Sequence, residues 1–409
     1  MTDKKCKAVN NNAFSTPVPV SEISNRIHAL KVCMENTGTG AVFLTHKPDI
    51  YYFSGTAQDA YLYVPVDHDP LLFVKRYLPR AVAETGIEQV IPVASITRIP
   101  GQIHSVHGRL PTSLGLAFDV VPVRDFQFFE TLFNPAVMTD ATSMIMGCRM
   151  IKSDWEIDRM AVAARLSRDT FSFVCDHMAP GESEIAFCGR VEAFARAHGH
   201  SGKLLVRHYR AEGFSHHLMS GVSGGLGGAL DSPVCGTGTC SAYPYGSGHK
   251  LIQKNEPILL DLGTMVNGYH MDETRMLVMG KLPPEAKQSG QAAIDILHYV
   301  KDRMAPGISA AEVFSAAVNR AEQLGLHETF LGLPGLKSRF IGHGVGLELV
   351  EAPVLSKGNP EKLMPGMVFA VEPKFIFEDR FAAGIESVIQ VTDAGARFLS
   401  VTENRIFFL

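Results

Sequence analysis

Apolar residues recur at helical intervals between Val20 and Asn36, with Ile23, Ile27, Leu30 and Cys33 on one side. This pattern predicts a helix that the glycines of "TGTG" close. The apolar runs then shorten. "AVFLT", "IYYFSG", "AYLYVPV" and "PLLFV" are branched and aromatic, and they read as strands between turn residues. With the helical stretch "RYLPRAVAET" they predict a small α/β domain over residues 1–145.

The period lengthens again after "MGCRMIKSDWEIDRM". Ile157, Met160, Ala161, Ala164, Leu166 and Phe171 predict a long helix, with Ser153 and Glu156 spaced for a capping box. "APGESEIAFCGRVEAFARAHG" restarts a helix that ends near Gly199, which makes His198 and His200 C-terminal surface groups. A third helix is predicted at "PGISAAEVFSAAVNRAEQLG", and "EPILLDLG", "MVFAVEPKFIF" and "GIESVIQVT" predict strands. Helices flanking curved antiparallel strands give an α+β domain over residues 146–409.

Composition narrows the functional classes. Over 409 residues, 46% apolar and 20% charged describe an ordinary globular chain. A net charge of -4, with no basic tail and no zinc-finger spacing, gives no reason to expect a nucleic-acid partner. "MTDKKCKAVNN" is not followed by an apolar segment, and no apolar run approaches the roughly 20 residues that span a bilayer. A cytoplasmic location without a membrane partner is therefore expected. The seven scattered cysteines fit free thiols in a reducing compartment. Cys235 and Cys240 are close enough for a redox pair or soft-metal ligands, but they lack the usual two-residue spacing. The segment "GFSHHLMSGVSGGLGGALDSPVCGTG" lacks phosphate-loop spacing, so it is either backbone crowded against a pocket or a plain loop.

The chemistry concentrates in "LLDLGTMVNGYHMDETR". Strand alternation puts His270 and Asp272 on one face with Met271 opposite, and Asp261 lies eleven residues before Asp272 across a turn. Two carboxylates among apolar neighbours raise each other's pKa unless a cation separates them. Arg275 or a divalent metal meets that need. Three later segments add donors: His343 in "FIGHGVGLELVE", Glu372 in "MPGMVFAVEP" and Glu386 in "AGIESVIQVT". Acids inside apolar strands need partners. Four carboxylates and an imidazole suit two ions of Mn, Co, Fe or Zn about 3–4 Å apart, rather than copper or an iron–sulfur cluster.

With these segments the chain resembles peptidase M24 proteins, the superfamily of methionine aminopeptidase, prolidase, aminopeptidase P and creatinase. Their catalytic domain has the pita-bread fold. "DLGTMVNGYHMDETR" is similar to the paired-aspartate motif, "GHGVGLE" to the histidine motif, and "PGMVFAVEP" and "GIESVIQVT" to the two glutamate motifs. The resemblance implies metal-ligand roles for Asp261, Asp272, His343, Glu372 and the bridging Glu386, with Glu372 also the catalytic proton carrier. It implies a creatinase/prolidase-like domain over 1–145, a dinuclear-metal domain over 146–409 and a homodimer acting on a small peptide or amino-acid-derived substrate.

Some positions depart from the superfamily pattern. Val350 stands seven residues after His343, where prolidase relatives carry a histidine, and valine cannot donate a hydrogen bond. "CSAYPYGSGHK" lacks another family histidine, which leaves Tyr243 or Tyr245 to replace it. Arg339, four before His343, replaces a histidine of the aminopeptidase P branch and can attract a substrate carboxylate. His208, His216 and His217 are further candidate substrate contacts. The leading expectation is a metal-dependent Xaa-Pro dipeptidase or aminopeptidase-like hydrolase. The alternatives are a small-molecule C–N hydrolase or lyase on the same scaffold, and a metal-binding relative with little catalysis.

Overall fold

The computed structural model describes residues 17–207, 213, 216–228, 230 and 232–409. They form two compact units, one of residues 17–149 with Arg207 and the other of the remaining described residues. No described helix is long and apolar enough to cross a membrane.

The first unit is built on six strands: β1 (Ala41–Leu44), β2 (Ala60–Pro65), β3 (Leu71–Val74), β4 (Gln89–Pro92), β5 (Ser113–Leu116) and β6 (Val137–Asp140). Their order in the sheet is β4-β3-β2-β1-β5-β6, antiparallel at β1–β2 and β2–β3 and parallel elsewhere. Phe43, Phe73, Leu114, Phe129 and Phe133 fill its core. The helix Val20–Thr37 forms as its apolar period predicts, and Gly38 closes it with φ 70°.

"IYYFSG" is not a strand. It ends the helix Lys47–Ser54, which Pro48 starts in the first turn and Gly55 closes at φ 83°. Tyr52 and Phe53 still bury, so the aromatic run meets the core from a helix. The Pro and Gly punctuation outweighed the β-propensity of the aromatics. Asp49 of this helix is fully buried and accepts from Arg149 Nη1 at 2.7 Å and Arg207 Nη1 at 3.0 Å.

The second unit holds β7 (His216–Ser220), β8 (Ile258–Val266), β9 (Tyr269–Val278), β10 (Phe340–Gly344), β11 (Glu351–Ser356), β12 (Val368–Val371), β13 (Lys374–Phe377), β14 (Phe381–Gly384), β15 (Ser387–Thr392), β16 (Gly395–Phe398) and β17 (Phe407–Phe408). They make a sheet β17-β9-β8-β7, a sheet β11-β10-β12-β15-β16 and the hairpin β13-β14. Helices Asp154–His177, Glu184–Ala197, Pro284–Lys301 and Ala310–Gln323 accompany them. Capping boxes form at Ser153–Glu156 and Ser309–Glu312.

The helix Pro284–Lys301 escaped the sequence reading because Ser289–Gly290 interrupts its period. Gly290 is there for packing: a Cβ would come within 2.7 Å of Met276 Sδ. His200 is a second correction, since it is 5% exposed rather than a surface group. Its Nδ1 accepts from Gly202 N at 2.7 Å and its Nε2–H donates to Gly263 O at 3.1 Å. Within the glycine-rich segment, Gly224 and Gly225 are crowded backbone. A Cβ on Gly225 would sit 2.4 Å from Phe377 O, so the chain passes close to β13 only without side chains.

Candidate metal centre

Register decides which acids meet. On β7, β8 and β9, His217, Asp261 and Thr274 form one cross-strand row, and Asp272 pairs with Gly263 in the next row of that face. Both aspartates therefore project to one side, while Glu273 and Arg275 project to the other. Thr274 Oγ1 donates to Glu386 Oε2 at 2.8 Å. Backbone bonds between residues 274 and 386, at 3.0 and 3.3 Å, join the two sheets where Glu386 enters β15.

His343 lies on β10, paired with Ala370 of β12. Its Nδ1–H donates to Gly344 O at 3.0 Å, which fixes the tautomer and leaves Nε2 as a lone-pair donor 3.8 Å from Asp272 Oδ2. Glu372 follows β12, and its N–H donates to Ile341 O at 2.9 Å. Pro373 comes next, where the ladder needs no further donor. The ligand atoms of Asp272, His343 and Glu386 converge within 4.8 Å, and all three residues are buried. Two carboxylates and one imidazole are a donor set suited to a borderline divalent cation.

The remaining acids face a group that the sequence reading missed. Lys374, first residue of β13, is 1% exposed, and its Nζ donates to Asp261 Oδ2 at 3.2 Å, Glu372 Oε2 at 2.9 Å and Glu386 Oε2 at 3.0 Å. Its signal was a charged residue opening the apolar run "KFIF" two positions after a glutamate. Such a residue needs a buried partner. The pKa directions follow from this division. Burial raises Asp272 well above the carboxylate range, and Glu386 and Asp261 add repulsion. Burial also pushes Glu386 up to about 8 against the opposing pull of Lys374. Burial would raise Asp261 too, but Lys374 and then His217 outweigh it, and Asp261 stays low. Lys374 is raised despite burial, because Asp261, Glu372 and Glu386 surround it.

Arg275, the alternative cation in the sequence reading, takes no part in this cluster. Its guanidinium donates to the backbone carbonyls of Thr274, Glu386, Thr402 and Glu403. It therefore anchors the chain end and the backbone of Glu386. His270 is also spoken for: Nδ1–H donates to Gly346 O and Nε2 accepts from Leu205 N, both at 3.0 Å.

The other candidates separate. His216 and His217 are adjacent on β7 and so face opposite ways. His217 stands across from Asp261 with its ring over Gly246, whose Cβ would lie 3.8 Å from Nε2. His216 packs beside His200, and burial drives its pKa down to about 3. Tyr243 and Tyr245 pack on each other at 4.5 Å between centroids, and Tyr243 is 40% exposed. Arg339 and Val350 are exposed. His208 lies outside the described residues.

Comparison with known proteins places this geometry. The model of metallopeptidase family M24 matches residues 158–393, and that of the creatinase/prolidase N-terminal domain matches 26–151. An Xaa-Pro dipeptidase of Pyrococcus furiosus is 24% identical over 390 residues, covering 94% of this chain and 100% of the relative. The probable dipeptidase PepE of Mycobacterium tuberculosis is 27% identical over 385 residues, covering 91% and 93%. Among solved structures, the Xaa-Pro dipeptidase from Bacillus anthracis superposes with a TM-score of 0.81 at 20% identity, covering 95% of this chain and 100% of that one. Dipeptidase PepE from Mycobacterium ulcerans gives 0.78 at 22% identity, covering 96% and 99%. These likenesses establish the pita-bread fold.

Proposed function

Because this chain belongs to metallopeptidase family M24, we propose that it is a metal-dependent hydrolase cleaving an amide bond next to an amino or imino acid, with Xaa-Pro dipeptides as the leading substrate class. The observation that carries this reading is the convergence of Asp272, His343 and Glu386 within 4.8 Å beside Glu372. These residues fit a divalent ion of Mn, Co, Fe or Zn, because Lys374 reaches Glu386 but makes no bond to Asp272, and buried carboxylates beside an imidazole nitrogen suit such a cation.

When bound, such an ion supplies Lewis acidity and lowers the pKa of a water. The chain's own residues do the rest. Glu372, held by the Lys374 ammonium, takes the proton of the attacking water and passes it to the leaving amine. Asp272 and Glu386 set the position of the ion, and His217 faces the Asp261 side as a neutral imidazole. Arg339, exposed at the entry to β10, offers a positive charge to a substrate carboxylate. Homodimerisation belongs to the same proposal, and light scattering after size exclusion measures it.

Val350 favours a second reading. It is 43% exposed and offers no donor to a tetrahedral oxyanion. A C–N hydrolase or lyase acting on a smaller substrate would not need that donor. Xaa-Pro and non-prolyl dipeptides, assayed with Mn²⁺ and with Co²⁺, separate the two. Turnover of Xaa-Pro substrates supports the first reading, and no turnover of any dipeptide overturns it.

A further inference from the structure

The acid cluster contains its own cation. An ammonium has three N–H donors, and Lys374 directs them to three carboxylates at 2.9, 3.0 and 3.2 Å. The fold makes room for its stem. Lys374 pairs across the hairpin with Gly384, where a Cβ would come within 2.6 Å of Lys374 Cγ and 3.1 Å of its Cα. A side chain at 384 would force the lysine stem to move. Glycine opposite a buried lysine is thus a fitted pair rather than a surface lysine folded inward.

This arrangement divides the acids. Asp272, His343 and Glu386 converge on one point, whereas Asp261 and Glu372 turn to the ammonium and Glu386 is shared. A second dication beside Asp261 would have to sit next to the ammonium, and like charges repel strongly where water is scarce. The residual charge differs in sign: two dications with the ammonium exceed the four carboxylates by one, whereas one dication with the ammonium falls one short.

We infer that Lys374 stands in for the second ion of a two-metal centre, so that this protein takes one divalent cation on Asp272, His343 and Glu386. The inference rests on the metallohydrolase reading for that one ion; its own content is the number of ions. The residues present do not fit a second.

The test is metal stoichiometry and magnetic coupling in the full chain. Protein stripped with a chelator is titrated with Mn²⁺, the bound metal is counted by elemental analysis, and the Mn²⁺ spectrum is recorded by electron paramagnetic resonance. Wild type is expected to take about one equivalent, with the six-line spectrum of an isolated ion, and Lys374→Ala about two, with an exchange-coupled spectrum. Two coupled ions in the wild type would overturn the inference and leave the hydrolase reading standing. No specific ion in the wild type would overturn both. One ion in both proteins would show that the lysine is not what excludes the second. The wild-type count stands even if the variant does not fold.

Discussion

Each unit of this protein buries acids, and the two balance them differently. In the first, Asp49 meets the guanidinium groups of Arg149 and Arg207, so protein cations meet the whole of its charge. In the second, three acids share one lysine, and Asp272 and Glu386 are pushed upward by burial and by their acidic neighbours. A buried carboxylate matched by arginine is an element of architecture. A buried excess of carboxylates that the chain does not match marks a place for an outside cation. The sign of the remaining charge separates the two cases.

The sharpest break of this comparison is Glu372→Gln. Loss of the proton carrier is expected to lower hydrolysis about 100- to 10,000-fold while the folded signal by circular dichroism stays unchanged. Asp49→Asn should do the reverse. It removes the carboxylate that Arg149 and Arg207 share, while Arg207 keeps Asp119, at a cost of about 3–5 kcal/mol. Hydrogen exchange should show the loss in residues 17–149, with Mn²⁺ binding retained. Burial opposes ionisation of Asp49, yet its hydrogen bond to His46 and the two arginines hold its pKa far below the usual value. Its contribution is therefore complete above an ordinary aspartate pKa of about 4 and is lost as pH falls below it. Acid titration followed by exchange in that unit should show protection falling below about pH 4, and a flat profile would contradict the assignment.

Saturation with metal sharpens the same contrast from the other side. At about 100-fold over its dissociation constant, Mn²⁺ should stabilise the second unit by about 2.7 kcal/mol and leave the first unchanged. Protection in β8, β9 and β15 measures it. Binding at neutral pH should also release protons, since Glu386 sits near 8 before the ion arrives. Titration calorimetry in buffers of different ionisation enthalpy counts them. The smallest effect is expected far from either cluster. Ser309→Ala removes the acceptor of the Glu312 N–H bond and should lower stability by about 1 kcal/mol in denaturant melts, without altering metal affinity.

The local sequence determined what depends on neighbours along the chain. The period from Ile157 to Phe171, the serine cap at 153, and the alternation that separates Asp272 from Glu273 all act over a few residues, and each appears in the structure. The acids at 261, 272, 372 and 386 were legible for the same reason, since charges inside apolar strands stand out. Where local signals competed, the reading erred. The aromatics of "IYYFSG" yielded to Pro48 and Gly55, and Gly290 hid a helix that packs tightly on Met276.

Only tertiary structure decided which cation each acid meets. Lys374 is two residues from Glu372 in sequence, but its bonds to Asp261 and Glu386 exist because a hairpin carries it between two sheets. Arg275 follows the aspartate motif closely, and strand parity turns it away. Coulomb interaction depends on distance and burial, and neither is written in the spacing of residues along a chain.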